Sequence, residues 1–210
     1  MIRNIITPDL KAIAERKGAK VRADVSLEWI DNVKGKPALR VQPTKPDFSV
    51  EDKWLVLLDD IEFTNGVIEF DALGQSDPPQ SNFLGVAFHA VDDSTHDAVY
   101  FRPFNFRADD QERKAHAVQY VSYPKYSWFD LRNNKPGQYE QPIVPAPDGD
   151  SWFHARIVIE RPKVSVFVNA AQEPSLVVEE LSDRKDTGIG LWVGPAQGGY
   201  FSNLKIILAK

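Results

Sequence analysis

The chain has 210 residues, 42% hydrophobic and 26% charged, which is an ordinary composition for a soluble globular protein. Its 25 basic and 30 acidic residues give a formal charge of −5, which argues against a broad nucleic-acid-binding surface. The sequence contains no cysteine, so disulfides, thiolate metal sites and a cysteine nucleophile are excluded, and no apolar run is long enough to span a bilayer.

The first predicted element is a helix over residues 7–18. Thr7 is suited to cap it and Pro8 to occupy its first position. We therefore divide the chain into an N-terminal helical extension, residues 1–20, and a single domain, residues 21–210. The opening residues are too polar and charged to form the apolar core of a signal peptide.

After the helix, apolar and polar residues alternate with the period of a β-strand. Many short runs of this kind, separated by Gly, Pro, Asn and Asp, favour a β-sandwich over βαβ units. The predicted strands cover residues 21–30, 37–43, 54–63, 66–72, 82–91, 97–106, 116–123, 152–160, 163–169, 175–181, 188–194 and 200–208. The sequence thus predicts an all-β fold, a two-sheet antiparallel β-sandwich (jelly roll) with one short N-terminal helix.

The connection at 122–150 is long and rich in proline and aromatic residues. Loops of this length are usually functional or disordered, and the aromatic rings favour an ordered loop. Within it, the run YSWFDLRNN at 126–134 is suited to a short helix. We expect this loop to wall one face or mouth of the sandwich. Its rings either form a stacking platform for a sugar or pack against the sandwich.

The alternation also assigns each strand residue to a face. At 97–106, for example, Val99 and Phe101 point to the core, whereas Tyr100 and Arg102 point away from it. The outward faces are rich in aromatic rings, histidine and arginine beside small residues. Rings stack on the apolar face of a sugar and planar polar groups read its hydroxyls, so this pattern indicates a carbohydrate ligand. The residues predicted to bind it are Tyr100, Arg102, Asn105, His116, Gln119, Tyr120, Trp128 and Trp192.

Pro103 interrupts the strand that carries Arg102. Proline removes a ladder donor and belongs at a strand edge or a bend. A bend here would bring Asn105 to the same side as Arg102. Two hypotheses then stand for Arg102: it contacts the ligand, or it pairs with Glu69 or Asp71 and holds two strands in register.

Residues 50–208 resemble the concanavalin A-like lectin/glucanase superfamily. The closing segment GIGLWVGPAQGGYFSNLKI is similar to that of laminin-G-like members and of bacterial 3-keto-disaccharide hydrolase-like domains. The runs NGVIEFDALG, VYFRPFNF and HAVQYVSYP resemble bacterial proteins described as sugar hydrolases.

The resemblance implies a carbohydrate-active protein, with a glycoside hydrolase-like enzyme acting in a groove of one sheet as the leading hypothesis. The alternatives are a non-catalytic, lectin-like carbohydrate-binding module and a laminin-G-like surface interaction domain. The resemblance implies a periplasmic or secreted protein if a leader has been removed, and a cytoplasmic one otherwise.

Glucanases of this superfamily carry E-x-D-x-E or E-x-D-x-x-E on one strand. This sequence has Glu69 and Asp71, but Leu73 and Gly74 stand where the second glutamate is expected. A retaining mechanism needs carboxyl groups about 5–5.5 Å apart, and residues i and i+2 of a strand are separated by about 7 Å, so Glu69 and Asp71 remain a candidate pair. His89 is the third predicted catalytic residue, because histidine titrates near neutral pH. Alternatively, the carboxylates form cross-strand ion pairs and the histidine is structural.

The run DDSTHD at 92–97 contains clustered carboxylates. They suit a structural Ca²⁺, but an Asx-turn between strands explains the same residues, and we favour the turn. The histidines lack metal-site spacing, so we expect no cofactor and no catalytic metal. The expected partner is a carbohydrate, with no nucleic acid and no membrane insertion. The sequence predicts no particular oligomeric state.

Overall fold

The computed structural model describes residues 4–49 and 54–209, which form two antiparallel sheets packed face to face. The first eight strands are β1 (Asn4–Ile6), β2 (Ala19–Val21), β3 (Val25–Val33), β4 (Lys36–Pro43), β5 (Leu55–Leu58), β6 (Gly66–Leu73), β7 (Leu84–Ala90) and β8 (Asp97–Phe101). The others are β9 (Val118–Ser122), β10 (Glu140–Gln141), β11 (Phe153–Glu160), β12 (Lys163–Val168), β13 (Leu176–Glu179), β14 (Gly188–Val193) and β15 (Gly199–Leu208). The helices are α1 (Leu10–Ala14), α2 (Gln111–Ala115) and α3 (Trp128–Asn134), with a 3₁₀ turn at Pro103–Asn105.

One sheet, here called the back sheet, has the strand order β13-β12-β11-β6-β15-β4-β3, with β1 added against β15. The other, here called the front sheet, has the order β10-β9-β8-β7-β14-β5-β2. Each predicted strand overlaps one of the observed strands. The predicted all-β sandwich is therefore confirmed.

The core lies between the sheets and is built from alternate residues of each strand. Phe70 of the back sheet and Phe101 of the front sheet meet edge to face, with ring centroids 6.4 Å apart. Phe153 packs on Phe101 from the back sheet at 5.0 Å. All three rings are buried, and burying a side chain of this kind contributes about 1.5–3 kcal/mol. The residues that follow each of them in sequence are thereby turned outward.

The N-terminal helix is shorter than predicted. It covers only Leu10–Ala14, and Asp9 caps it instead of Thr7, since the Asp9 carboxylate accepts hydrogen bonds from the backbone N–H groups of Lys11 and Ala12 at 3.0 Å.

The first twenty residues contribute strands to both sheets. β1 pairs with β15 in the back sheet, and β2 pairs with β5 at the edge of the front sheet. Leu10 and Ile13 of α1 are buried against the core. The segment that we expected to be an extension is therefore built into the sandwich.

The chain bends at Pro103, as its sequence indicates. β8 ends at Phe101, and Pro103 begins the 3₁₀ turn that leads into α2. The helix expected in the long loop is α3. Ser127 and Asp130 begin it with a reciprocal capping box, in which the hydroxyl and the carboxylate each accept the other residue's backbone N–H at 3.2 Å. Among the described residues, no helix has the length and apolar character that a bilayer span requires.

Candidate functional site

The outer face of the front sheet carries a cleft of about 340 Å³, here called the groove. Its volume lies at the lower end of the range of about 300–1,000 Å³ that is typical of ligand sites, which suits a short ligand or a chain end. The residues that line it are Phe48, Gln80, Phe83, Tyr100, Arg102, Phe104, Asn105, Arg113, His116, Tyr123, Trp128, Arg132, Trp192 and Pro195.

Two aromatic rings form the floor of the groove. Tyr100 of β8 and Trp192 of β14 are the cross-strand neighbours of Gly85, on the strand between them. Their ring centroids are 4.6 Å apart at an interplanar angle of 31°. A Cβ atom on Gly85 would lie 2.1 Å from the carbonyl oxygen of Val99 and 2.6 Å from Cα of Tyr100. Glycine at this position thus lets the two rings meet above the middle strand.

Arg102 lies beside the floor and is only 5% exposed. Its guanidinium donates to the His116 carbonyl at 2.8 Å, to the Tyr100 hydroxyl at 2.8 Å and to Gln119 Oε1 at 2.5 Å. It also stacks above the Phe83 ring, 5.6 Å from the centroid. Burial lowers the pKa of Arg102, but an arginine side chain remains charged in proteins. The network therefore fixes a positive charge next to two aromatic rings.

The loop at 122–150 walls the groove, through Tyr123 and through Trp128 and Arg132 of α3. The Arg132 guanidinium lies over the Trp128 ring, 5.0 Å from its centroid, and binds both oxygens of Glu140 at 2.9 and 2.7 Å. Glu140 is 3% exposed and lies 3.4 Å from Nε2 of His116. Burial, aided by the nearby arginines, lowers the pKa of His116 despite Glu140, so its ring is neutral at pH 7.

Arg113 of α2 also lines the groove and contacts three neighbouring residues. Its Nε donates to Asn105 Oδ1 at 3.2 Å, and its Nη2 donates to Gln80 Oε1 at 2.9 Å and to the Phe104 carbonyl at 3.2 Å. The bend at Pro103 places Asn105 and Arg102 in the same cleft.

Sequence reasoning missed Arg113 and Arg132, because both lie outside strands, where alternation assigns no face. The capping residues Asp110 and Ser127 are the local signals that could have located their helices.

Six of the eight residues predicted to bind a ligand line the groove: Tyr100, Arg102, Asn105, His116, Trp128 and Trp192. Gln119 lies beneath them and supports both Tyr100 and Arg102 through its Oε1.

Tyr120 points the other way, into the core. Its ring packs on Phe88 at 6.3 Å and its hydroxyl accepts the Leu181 N–H at 3.0 Å. The prediction that Tyr120 shares the groove is wrong, because successive residues of a strand face opposite sides and Gln119 already faces outward.

The predicted carboxylate pair lies on the outer face of the back sheet. Glu69 of β6 forms an ion pair with Lys205 of the neighbouring β15. Asp71 accepts hydrogen bonds from His154 Nδ1 at 2.8 Å, Lys36 Nζ at 2.7 Å and Asn203 Nδ2 at 2.6 Å. Burial opposes ionisation of Asp71, but these three partners outweigh it and lower its pKa. Asp71 is therefore ionised, and both carboxyl groups are engaged by neighbouring side chains on the side of the molecule away from the groove.

Arg102 therefore pairs with neither Glu69 nor Asp71. The prediction of such a pair is wrong because β6 belongs to the back sheet and β8 to the front sheet. The carboxylate facing Arg102 is Glu140, 3.9 Å away.

His89 is also remote from the groove. It is fully buried with a left-handed φ of 48°, at an irregularity in the pairing of β7 with β14. This irregularity turns the side chain away from the outward face predicted for it. Its Nδ1 lies 3.2 Å from Asp97 Oδ2 and its Nε2 lies 3.0 Å from the Thr64 carbonyl. The structure thus separates Glu69, Asp71 and His89 from the groove and does not bring them into one cleft.

Among the described residues, ligand atoms of His89, Asp97 and Glu180 lie within 4.8 Å of one another, a spacing suited to a metal ion. However, Arg184 Nη2 lies 2.7 Å from Asp97 and Arg161 Nε lies 3.3 Å from Glu180. Two guanidinium groups thus already balance the two carboxylates, so the arrangement is a buried ion-pair network.

At 92–97, Asp92 Oδ1 accepts the Ser94 N–H at 2.9 Å, which forms an Asx-turn.

No protein-family model matches this chain, and no curated protein matches it. Solved structures do share its fold. The carbohydrate-binding module CBM66 of Bacillus subtilis is 14% identical, with a TM-score of 0.55 over 87% of this chain and 94% of that one. A provisionally assigned glycosyl hydrolase of Parabacteroides distasonis is 14% identical, with a TM-score of 0.53 over 100% of both chains. A Bacillus subtilis protein of unknown function with a galectin-like fold is 10% identical, with a TM-score of 0.50 over 99% of this chain and 90% of that one.

At these identities the likeness concerns the fold alone. The shared fold is a two-sheet antiparallel β-sandwich, which agrees with the fold implied by the sequence's resemblance to the concanavalin A-like lectin/glucanase superfamily.

Proposed function

We propose that this protein is a non-catalytic carbohydrate-binding module that holds a short glycan or a chain end in the groove. The observation that carries the proposal is the combination of the Tyr100–Trp192 floor with Arg102, Asn105 and His116 beside it. Flat apolar surfaces next to planar polar groups suit sugar rings, whose faces are apolar and whose edges carry hydroxyls. The likeness in fold to a carbohydrate-binding module supports the same class of ligand.

Binding is favoured over hydrolysis by the placement of the carboxylates. Glycosidases generally use two carboxyl groups that flank the scissile bond. Of the residues that line the groove in the described part of the chain, none is Asp or Glu. Glu140, behind the wall, has both oxygens engaged by Arg132. Glu69 and Asp71 lie on the far side of the sandwich. Among the described residues, the groove therefore offers groups that can hold a sugar and no acid/base pair.

Two neighbouring residues of α3 allow a matched test. Trp128 lines the groove, whereas Phe129, the next residue, is 59% exposed and lies outside it. After a glycan array has identified a ligand, we expect Trp128→Ala to weaken its binding at least about tenfold, or about 1.4 kcal/mol. Phe129→Ala should change the affinity by less than about twofold. Isothermal titration calorimetry of both variants measures the difference.

Three results would contradict the proposal. The first is an array on which no glycan binds, and the second is an equal loss of affinity in the Trp128→Ala and Phe129→Ala variants. The third is the release of new reducing ends from a bound glycan, which would restore the hydrolase hypothesis.

A further inference from the structure

We propose that the ligand of the groove is an anionic glycan, one whose sugar units carry a carboxylate or a sulfate. This inference rests on the proposed function and specifies the class of glycan. It depends on the charges of the groove and on the state of its hydrogen-bond acceptors.

The groove is positively charged although the chain is acidic overall. Arg102, Arg113 and Arg132 line it, and the carboxylate that contacts this set is the buried Glu140. Among the described residues, three guanidinium groups line the groove and Glu140 pairs with two of them, so arginine outnumbers its carboxylate partners there, in a chain whose formal charge is −5. His116 adds no positive charge at pH 7, because burial lowers its pKa. Arg113 contributes most directly to the positive charge, since its guanidinium donates to Asn105, to Gln80 and to the Phe104 carbonyl, which are all neutral.

Three amide oxygens in or beneath the groove already accept a hydrogen bond from arginine. Gln119 Oε1 accepts from Arg102, and Asn105 Oδ1 and Gln80 Oε1 both accept from Arg113. A sugar hydroxyl donates as well as accepts a hydrogen bond, so a neutral sugar would have to compete for these oxygens. The oxygens of a carboxylate or a sulfate ester only accept, and they match what the groove offers.

Two further N–H donors, one in the floor and one beneath it, lack a hydrogen-bond acceptor in the described part of the chain. Trp192 Nε1 and Gln119 Nε2 are both buried and have no hydrogen-bond partner among the described residues. Buried donors are normally paired, so unpaired donors beside a fixed guanidinium make this floor electropositive. Charge-assisted hydrogen bonds from arginine to an anionic oxygen are stronger than neutral ones, especially where water is partly excluded. The electrostatics of the floor and of the arginines thus favour the same ligand chemistry.

Pairs of glycans that share a sugar backbone and differ in charge test this inference. Galacturonate, glucuronate and mannuronate oligosaccharides would each be titrated beside their methyl esters, which keep the ring and lose the charge. Sulfated oligosaccharides and their desulfated forms make the second arm, which distinguishes sulfate from carboxylate as the source of the charge. We expect at least one charged form to bind about tenfold or more tightly than its neutral counterpart. The advantage should shrink between 0.05 and 0.5 M salt, as screening predicts.

Variants of Arg113 test whether the preference for a charged glycan depends on this residue. Arg113→Gln should remove most of the preference for the charged glycan, and Arg113→Lys should restore part of it. The matched control is Arg107→Gln, since the Arg107 side chain is 62% exposed and pairs with Asp148 outside the groove lining. Thermal melts of each variant check that the fold is retained.

Equal binding of charged and neutral forms would overturn the inference and leave carbohydrate binding intact. An unchanged preference in Arg113→Gln would overturn it as well. Failure of every glycan, charged or neutral, would instead overturn the proposed function itself.

Discussion

The outer face of the front sheet and the outer face of the back sheet both carry aromatic, basic and amide side chains, but they use them differently. On the front face, the Tyr100 and Trp192 rings form the floor of a cleft. On the back face, Trp152 is covered by Lys36, whose Nζ lies 5.4 Å from the ring centroid, and donates its Nε1 hydrogen to the Val33 carbonyl at 2.9 Å. The front rings therefore line a cleft, whereas the back ring lies beneath Lys36 of β4.

The difference originates in strand register and in loops. On the back sheet, His154 stands directly opposite Asp71 and Lys205 directly opposite Glu69, so neighbouring strands supply the counter-charges. On the front sheet, Glu140 pairs with Arg102 and with Arg132 of α3, and Arg113 of α2 adds a third arginine to the groove. Cross-strand pairs thus balance the charges of Glu69 and Asp71 on the back face. On the front face, the loops wall the groove and supply arginines that outnumber their carboxylate partners among the described residues.

The largest expected difference between the two faces is in the free energy of unfolding. Glu140→Gln removes the carboxylate of a buried pair and leaves Arg132 and Arg102 without their counter-charge, so we expect a loss of about 3–5 kcal/mol. Glu69→Gln breaks a pair whose lysine side chain is 40% exposed, which should cost at most about 1 kcal/mol. Urea denaturation of both variants compares the two faces. Similar losses would show that the groove wall does not depend on its buried pair.

The second expected difference is in the pH range over which a residue near each face contributes to the free energy of unfolding. His96 is fully buried, and its ring packs 5.4 Å from that of Tyr123 in the groove wall. Burial lowers the pKa of His96 from 6.5 to about 4. Between pH 4 and 6.5, His96 is therefore protonated in the unfolded chain and neutral in the folded protein. This contribution is complete above pH 6.5 and is lost as the pH falls towards 4, by up to roughly 3 kcal/mol.

Asp71 on the back face titrates in a different window. Its pKa is lowered in the folded state, so its contribution is present above the unfolded value of 3.8 and is lost only as the pH falls below it. Urea denaturation at pH 7, 5 and 4 of the wild type and of His96→Phe, which cannot titrate, isolates the histidine. If the two stability curves ran parallel between pH 6.5 and 4, His96 would have no part in the acid sensitivity.

The smallest expected effect concerns glycan binding to a variant of the back face. Asp71→Asn removes a charge that is satisfied by His154, Lys36 and Asn203 on the side away from the groove. We expect the affinity for a groove ligand to stay within about twofold of wild type, measured by calorimetry. A loss above tenfold, or a glycan turnover that disappears in this variant, would return Asp71 to the functional site.

Much of the fold was predictable because strand alternation is a local property. The twofold period assigned Val99 and Phe101 to the core and Tyr100 and Arg102 to the outer face without reference to the rest of the chain. The bend at Pro103 was predictable for a similar reason, since proline lacks the N–H that a ladder needs. The error at His89 arose where the pairing of β7 is irregular, because alternation fails at such a point.

What the sequence determined by itself was the all-β class, the strand positions, the wall-forming loop and six of the residues that line the groove. Only the tertiary structure decided which strands are neighbours. Sheet order is set by contacts between residues far apart in sequence. The sequence alone therefore allowed a pair between Arg102 and Glu69 or Asp71, although the structure places them on opposite faces of the sandwich. The same non-local packing brought Arg113 and Arg132 from two loop helices to one cleft, and with them the positive charge of the groove.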